Sequence, residues 1–331
     1  MSKNVLVDAV RAGVGGAEVA SRAAGAAAGS AVAAAASRGR SVRPADADET
    51  AAGTQYSDAA ETLGRANGNA PVTGADTPSL VVEHLSKSFE VDGEQVPVLD
   101  DVSLTVGSGE FVTIVGHSGC GKSTLLKIVS GLLGYSEGSI VRNGRPVTGP
   151  DTDCGMVFQE HRLLPWLKVA DNIGFGLDKH DRRAWRDEVE DYVRLVHLDG
   201  FENVYPAQLS GGMSQRAAIA RGLVTHPKLL LLDEPLGALD ALTRVEMQKE
   251  LLRIWREEHT TMLLVTHDID EAIYLGQRVV VMGARPGRIE EVIRIESPNA
   301  KVRGSADFNY YKQRIYRHFF KETTREPEYS I

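Results

Sequence analysis

The sequence predicts an α/β fold with a central parallel sheet, and three features of the chain carry that prediction. Residues 110–115 form a short apolar, β-branched run, which a glycine-rich loop and a helical pattern follow directly. Leu229–Leu232 is a run of four leucines that ends in two acids, as is typical of a central parallel strand. Thr261–Thr266 reads as another buried strand, and it ends at His267. Polar residues therefore follow several predicted strands at the ends where α/β sheets hold their ligands.

The glycine-rich loop has the spacing of a phosphate-binding P-loop and lies between a strand and a helix, as such a loop requires. It consists of Gly116, His117, Ser118, Gly119, Cys120, Gly121, Lys122, Ser123 and Thr124. Its glycines let successive backbone N–H groups turn toward an anion, and the following helix directs its positive dipole end there. We expect Lys122 to reach the β- and γ-phosphates of a nucleotide and Ser123 to ligate Mg²⁺.

The composition of the chain limits the classes of function. Its 331 residues suffice for one large domain or two small ones, and the net charge of -8 disfavours a general nucleic-acid binder. Cys120 and Cys154 form no C-x-x-C pair, so we expect neither a disulfide framework nor a zinc site, which fits a reducing cytoplasm. We find no strongly apolar run of bilayer length and only a poor secretory signal, so a role at a membrane would depend on partner subunits.

Three segments differ in composition. Residues 1–78 are rich in alanine and nearly free of aromatic residues, which predicts a disordered extension; a tether, a partner-binding arm or a wrongly assigned start codon are alternatives. Residues 79–296 carry the predicted strands and helices of the folded domain. Residues 297–331 contain a predicted amphipathic helix, which we expect to dock on its own domain rather than on a membrane. Its apolar residues at helical spacing are Phe308, Tyr311, Ile315 and Phe319.

Further candidate residues lie at the ends of other predicted elements. Gln159 follows the strand candidate Gly155–Phe158, and Ser210 precedes a glycine pair that opens a helix, which is a second place suited to anions.

Two residues admit two interpretations. Cys120 is either a thiol with a lowered pKa near a helix N-terminus or, as we favour, a small residue that fills the loop. Phe89, taken alone, is more typical of a core residue than of an adenine-stacking aromatic.

Together and in this order, the segments resemble one family, the ATP-binding subunits of ABC transporters. The similarity covers residues 80–290 and shows no departure at a catalytic position. It rests on the P-loop, the Q-loop Gln159, the signature Leu209–Arg216, the Walker B strand Leu229–Pro235, the D-loop Gly237–Asp240 and the switch His267. The resemblance implies a P-loop NTPase with a RecA-like core, an antiparallel β subdomain and a helical subdomain that carries the signature.

The resemblance also implies roles for the residues at the strand ends, with ATP and Mg²⁺ as the bound groups. Asp233 would hold Mg²⁺ opposite Ser123, directly or through water, and Glu234 would act on the attacking water as a general base or by positioning it. His267 would contact the γ-phosphate. Gln159 would touch Mg²⁺ or the water and move with the helical region.

Other implied nucleotide contacts lie outside the P-loop. Phe89 falls where the family carries its adenine-stacking aromatic, which reverses the preference stated above. Ser210, Gly211 and Gly212 would bind the γ-phosphate held by an opposite subunit, and Gln215 and Asp240 count among the nucleotide-contacting residues. Two complete sites therefore require two such domains, head to tail. An identical chain would supply the second domain, and a related ATPase subunit would also suffice.

Two classes of ABC ATPase compete. A soluble protein that acts on nucleic acid or ribosomes would carry long insertions or two ABC domains, whereas a short segment separates Gln159 from Ser210 here. We therefore expect an importer subunit at the cytoplasmic face of the inner membrane, bound to integral-membrane permease subunits that work with an extracytoplasmic solute-binding protein, and no nucleic-acid partner.

Residues 157–168, 170–177 and 282–288 resemble the nitrate, sulfonate and taurine importers, with thiamine-precursor uptake as a rival. Leu163, Leu164, Pro165 and Trp166 are expected to form part of a groove for a permease helix. The alternative is that Trp166 only packs the helical subdomain.

Overall fold

The computed structural model describes residues 78–319, which form two sheets and the helices between them. The strands are β1 Leu80–Val91, β2 Glu94–Val106, β3 Phe111–Gly116, β4 Glu137–Arg142, β5 Arg145–Pro146, β6 Cys154–Val157, β7 Leu229–Asp233, β8 Thr261–Thr266, β9 Arg278–Met282 and β10 Ile289–Arg294. The α-helices are α1 Lys122–Val129, α2 Val169–Ile173, α3 Arg182–Leu195, α4 Gly211–Leu223, α5 Ala241–Glu258, α6 Ile269–Leu275 and α7 Ala306–Phe319. The predicted disordered extension lies, apart from Pro78, outside the described residues.

The larger sheet has six strands in the order β10-β9-β3-β8-β7-β6. All neighbours in it are parallel except β10, which pairs antiparallel with β9 at the edge. The leucines of β7 alternate between two cores: Leu230 and Leu232 face the cluster around α3, α4 and α5, while Leu229 and Leu231 face the cluster around α1. A strand buried on both faces needs an unbroken apolar run, which explains the run in the sequence.

The smaller sheet is antiparallel, in the order β2-β1-β4-β5. The hydrophobic pattern alone favours two strands, over residues 80–85 and 88–91, whereas the structure has the single strand β1 there. Pairing of β1 with β2 continues past the polar residues through register shifts between Val82 and Ser88. Irregular pairing of this kind keeps a strand continuous while the hydrophobic alternation changes phase, which is why the pattern alone favours two strands.

The helical region covers one face of the parallel sheet. Helix α3 begins after Asp181, whose side chain accepts hydrogen bonds from the N–H groups of Arg183 and Ala184. Its buried face carries Val189 and Val193, which lie four residues apart and so on the same side of a helix. The sequence pattern favours a stop at Gly200, but the helix already ends at Leu195, because the chain adopts a left-handed conformation at His197, with φ 52°.

The last described helix, α7, packs on the same domain. Phe308, Tyr311 and Ile315 are buried in one cluster with residues of α6 and β9 such as Ile273 and Val279. Arg314 and His318 pair with Glu291 on β10. These ion pairs join α7 to the edge strand of the larger sheet. No helix between residues 78 and 319 has the length and apolar character needed to cross a membrane.

Candidate functional site

The P-loop wraps around the side chain of Lys122. Its ammonium Nζ donates hydrogen bonds to the carbonyl oxygens of Gly116, at 2.9 Å, and of His117, at 3.1 Å, and only 4% of the residue is exposed. Gly121 precedes α1 with φ 101°, and a Cβ there would lie 2.6 Å from Cδ2 of Leu99. A residue with a side chain therefore does not fit this turn, which explains the glycine of the motif.

Ser123 and Asp233 meet at the end of β7. The Ser123 hydroxyl donates to Oδ1 of Asp233 at 2.7 Å, and Asp233 is buried. Burial raises the pKa of the Asp233 carboxyl, and the hydrogen bond from Ser123 partly opposes that shift. Hydroxyl and carboxylate oxygens are the ligands Mg²⁺ prefers, and Mg²⁺ takes few ligands from the protein when phosphates and water supply the rest. The pair fits a Mg²⁺ ion of this kind; over residues 78–319 no cluster of three or more His, Cys, Asp or Glu residues could form a self-sufficient metal site.

The carboxylate of Glu234 is held by two side chains. Its Oε2 lies 3.0 Å from Nδ1 of His267 and 3.5 Å from Nε2 of Gln159. The backbone N–H of Glu234 donates to the carbonyl of Val265 at 2.9 Å, and its φ of 44° is left-handed. Such a backbone conformation is uncommon for a residue with a side chain and persists only where surrounding contacts maintain it.

The order of strands explains why these residues meet. Gln159 follows β6, Asp233 and Glu234 lie at the end of β7, His267 follows β8 and the P-loop follows β3, and these four strands are consecutive neighbours in the sheet. Because parallel strands end at one edge, residues distant in sequence come together there. The hydrogen bonds show that these polar strand ends converge.

The signature segment forms a separate feature. Ser210 caps α4, and its Oγ accepts a hydrogen bond from the N–H of Met213 at 3.3 Å. Ser210 and Gly211 are exposed, and α4 has no acidic residue in its first turn, so its positive end is open to an anion. Asp240 caps α5 in the same way, accepting from Leu242 and Thr243. Within residues 78–319, no hydrogen bond joins Ser210 to the P-loop.

Two sequence-predicted nucleotide contacts stay predictions. Phe89, on β1, is 36% exposed, with Nζ of Lys87 5.0 Å from the centre of its ring, so it has surface to offer an adenine. Gln215 is 2% exposed, and its Nε2 is buried with no hydrogen-bond partner among the described residues. A buried amide inside the helical region does not favour direct contact with a nucleotide.

Cys120 is a packing residue of the loop. It is 1% exposed, and burial raises the pKa of its thiol, against opposing contributions from Lys122. The interpretation of a thiol with a lowered pKa is therefore wrong, because desolvation outweighs the nearby cation.

Sequence reasoning missed two side chains that contact the P-loop. Nε of Arg285 donates to the carbonyl of Gly119 at 2.9 Å, and the ring of Phe319 meets that of His117 edge to face, with centroids 4.9 Å apart. The available signals were weak. The Arg-Pro-Gly run that contains Arg285 served only to suggest a subfamily, and Phe319 counted only as one apolar residue of a helix.

Comparison with known proteins decides the family. A family model described as ABC transporter matches residues 99–237. The aliphatic sulfonates import ATP-binding protein SsuB of Bacillus subtilis (strain 168) is 48% identical over 252 residues, or 76% of this chain and 98% of the relative. The chain belongs to the ATP-binding proteins of ABC transporters. SsuB of Bacillus cereus (strain ATCC 10987 / NRS 248) is also 48% identical, over 241 residues, which cover 73% of this chain and 96% of that relative.

Solved structures of ABC proteins agree with the fold. The post-hydrolysis dimer of the ATP-binding cassette MJ0796, bound to ADP and Pi, is 30% identical and superimposes with a TM-score of 0.59. The match covers 66% of this chain and 99% of that cassette. The family, the ABC ATPase fold with its two sheets and helical region, and an ATPase activity coupled to transport are thus confirmed. So is the similarity to the sulfonate group of importers, because the relatives carry that name.

Proposed function

We propose that this protein is the ATP-hydrolysing subunit of an importer for aliphatic sulfonates. The observation that carries the ATPase is the convergence of Lys122, the Ser123–Asp233 pair and the Glu234–His267–Gln159 cluster at one sheet edge. The names of the relatives support import and sulfonates. The competing soluble ATPase that acts on nucleic acid or ribosomes has no support among these relatives.

The residues that meet at this sheet edge account for the proposed chemistry. Backbone N–H groups of the P-loop and the Lys122 ammonium would bind the phosphates of ATP, and Phe89 would stack on the adenine. Ser123 and Asp233 would hold Mg²⁺, which when bound neutralises charge on the phosphates. Glu234 would orient the attacking water and accept its proton, while His267 would donate to the γ-phosphate oxygens. Gln159 would hold the Glu234 carboxylate in place.

We further propose that the site is completed by the signature of a second, identical chain. The exposed helix start at Ser210 and Gly211 suits a γ-phosphate, and nothing among the described hydrogen bonds ties it to its own P-loop. The dimeric cassette among the similar structures supports this arrangement. A head-to-tail pair related by two-fold symmetry would form two sites, each with one P-loop and one signature.

Mixing two inactive variants tests this dimer. In Lys122→Ala the P-loop is defective, and in Ser210→Arg the signature is defective, so homodimers of either variant have two defective sites. A mixed dimer has one site with both defects and one intact site. An equimolar mixture should therefore regain about one quarter of wild-type ATPase activity, because about half of the dimers are mixed. Activity no higher than the sum of the separate variants would contradict an identical partner.

The loop before α2 is a proposed docking surface for the permease. Trp166 is 69% exposed, and Asn172, itself fully buried, donates to the carbonyls of Leu164, Leu167 and Lys168, so the backbone under the tryptophan is held rigidly. This exposure supports contact with a partner over the alternative that Trp166 packs the helical subdomain. Leu163 differs, since it packs against the protein's own core.

Changing Leu164 and Trp166 together to alanine tests the docking surface. In membranes reconstituted with the permease and the solute-binding protein, the double variant should lose solute uptake and keep the ATPase rate of the isolated subunit. Tyr310→Ala, which removes an aromatic that is 59% exposed on α7, is the matched control and should leave uptake unchanged. Full uptake by the double variant would refute the assignment.

Growth of the host organism tests the solute. Deletion of the gene should abolish growth on an aliphatic sulfonate as the sole sulfur source, and the wild-type gene, but not Glu234→Gln, should restore it. Unimpaired growth on sulfonates with a defect on nitrate, taurine or thiamine precursors would assign another solute. In every case we place the subunit at the cytoplasmic face of the membrane, held there by the permease.

A further inference from the structure

The loop that joins β9 to β10, residues 283–288, touches the P-loop at two points. Nε of Arg285 donates to the Gly119 carbonyl, and a Cβ on Gly119 would lie 2.4 Å from Nη2 of Arg285, so the guanidinium lies directly over that glycine. A Cβ on Gly287 would lie 2.0 Å from the carbonyl oxygen of Cys120. The two backbones are therefore in direct contact, and neither glycine tolerates a side chain without displacement of its neighbour.

The same loop is anchored to both sheets. The Gly287 N–H donates to the Val98 carbonyl at 2.9 Å, and the Asp100 N–H donates to the Gly287 carbonyl at 3.0 Å, both on β2. Gly283 and Arg288 close the base of the loop with a hydrogen bond of 2.9 Å. Arg285 is thus presented to the P-loop from a backbone that is fixed independently of any nucleotide.

The contact fixes one peptide unit of the P-loop at both ends. Arg285 binds the carbonyl of Gly119, and the N–H of the next residue, Cys120, donates to the carbonyl of His117 at 3.2 Å. Because this peptide is already fixed, the loop loses less conformational entropy when a phosphate binds, which favours binding.

Arg285 also adds charge. Its side chain is exposed, and between residues 78 and 319 no carboxylate forms an ion pair with it, in contrast to Arg288, which pairs with Asp100. An uncompensated guanidinium beside a phosphate-binding loop attracts an anion.

We propose that Arg285 is a positioning residue of the nucleotide site. It fixes the conformation of the P-loop before the nucleotide binds and thereby increases the affinity of the loop for the phosphates. The inference rests on the proposed ATP site. It concerns binding and not the chemical step, because Arg285 contacts the carbonyl of Gly119 and none of the residues around Glu234.

The test compares Arg285→Ala and Arg285→Lys with the control Arg288→Ala in the full-length protein. Calorimetric titration with Mg·ADP should give a Kd about tenfold higher for Arg285→Ala, as expected for the loss of a hydrogen bond from a charged donor. The KM for ATP should rise by a similar factor and kcat should stay within about twofold. Arg285→Lys, which keeps the charge, should recover part of the affinity, whereas Arg288→Ala should bind like the wild type.

Three results would overturn the inference: an unchanged Kd in Arg285→Ala, an equal loss in Arg288→Ala, or a fall in kcat with KM unchanged. Thermal unfolding of each variant checks that it is folded, and Arg285→Lys supplies the comparison if Arg285→Ala is not. If wild-type protein bound neither ADP nor ATP, the proposed function itself would fail. If it bound both and Arg285→Ala bound equally well, only this inference would fail.

Discussion

Nδ1 of His267 lies 3.0 Å from Oε2 of Glu234, and the two residues follow neighbouring parallel strands, β8 and β7. Nδ1 is the ring nitrogen that faces the carboxylate, and Nε2 is the nitrogen left for another partner such as a phosphate oxygen. The carboxylate is thereby oriented by the protein alone, together with its left-handed backbone. The fold itself therefore positions the Glu234 carboxylate, which is proposed to act on the attacking water.

Replacing Glu234 by glutamine should separate binding from hydrolysis. The amide keeps the size of the side chain but cannot accept a proton, so the ATPase rate should fall by about 100- to 10,000-fold. ATP should still bind, and the variant should accumulate as an ATP-bound dimer in size-exclusion chromatography. Normal turnover by the variant would refute the role of Glu234 as the base.

Replacing His267 by alanine should lower kcat with little change in KM. The imidazole is proposed to stabilise charge that develops during hydrolysis, and removal of one such donor typically lowers kcat about 100- to 1,000-fold. Steady-state kinetics measure both constants. A higher KM with normal kcat would instead assign His267 to ground-state binding.

Replacing Ser123 by alanine should raise the Mg²⁺ concentration needed for half-maximal ATPase activity by about tenfold, because one of two proposed oxygen ligands is lost. A Mg²⁺ titration at saturating ATP measures this. Ser139→Ala is the matched control, since the Ser139 hydroxyl donates to Glu83 in the antiparallel sheet, and its Mg²⁺ dependence should equal that of the wild type. Identical titrations for all three proteins would place the ion elsewhere.

Lys301 gives the protein a defined dependence of stability on pH. Its Nζ donates to the carbonyls of Ile273 and Gly276 at the end of α6, and burial, with a smaller effect of Arg256, lowers its pKa from 10.5 to about 8. Between pH 8 and 10.5 the unfolded chain therefore binds more protons at this residue than the folded chain. The free energy of unfolding must rise with pH over that window on account of this residue.

Equilibrium urea unfolding of the wild type and Lys301→Met at pH 7.5, 9 and 10 tests this. The stability of the wild type relative to the variant should increase by roughly 1–3 kcal/mol over the window. Lys312→Met is the control. The pair with Asp270 raises the pKa of Lys312, so its contribution is lost only above pH 10.5 and the corresponding difference should stay flat below it. A flat difference for Lys301→Met as well would contradict the assignment.

Much of the fold follows from the sequence because its signals are local. The leucine run of β7 must be buried on both faces, and the P-loop spacing requires a strand before it and a helix after it. The convergence of Gln159, Glu234 and His267 also follows, since parallel strands end at one edge. The register shifts in β1 and the early end of α3 do not follow, because pairing and backbone conformation override the hydrophobic pattern there.

The contacts around the P-loop show where the sequence is insufficient. Arg285 and Gly119 are 166 residues apart, and no periodic pattern links them. The burial that raises the pKa of the Cys120 thiol depends on packing against Gly116 and within the hydrophobic cluster around α1, which is decided by the tertiary structure. Such contacts depend on the tertiary structure, whereas the roles of the strand-end residues are expected from the family resemblance and stay predictions.

The edge-to-face contact between Phe319 and His117 offers an optical reporter of the nucleotide loop. Helix α7 brings an aromatic ring from the far end of the described chain to the second residue of the P-loop, without using it for any proposed chemistry. Phe319→Trp would put an indole at that contact, where its fluorescence emission would change when a nucleotide binds to the P-loop. Occupancy could then be followed in real time with unlabelled ATP and ADP, in the isolated subunit and in the assembled importer alike.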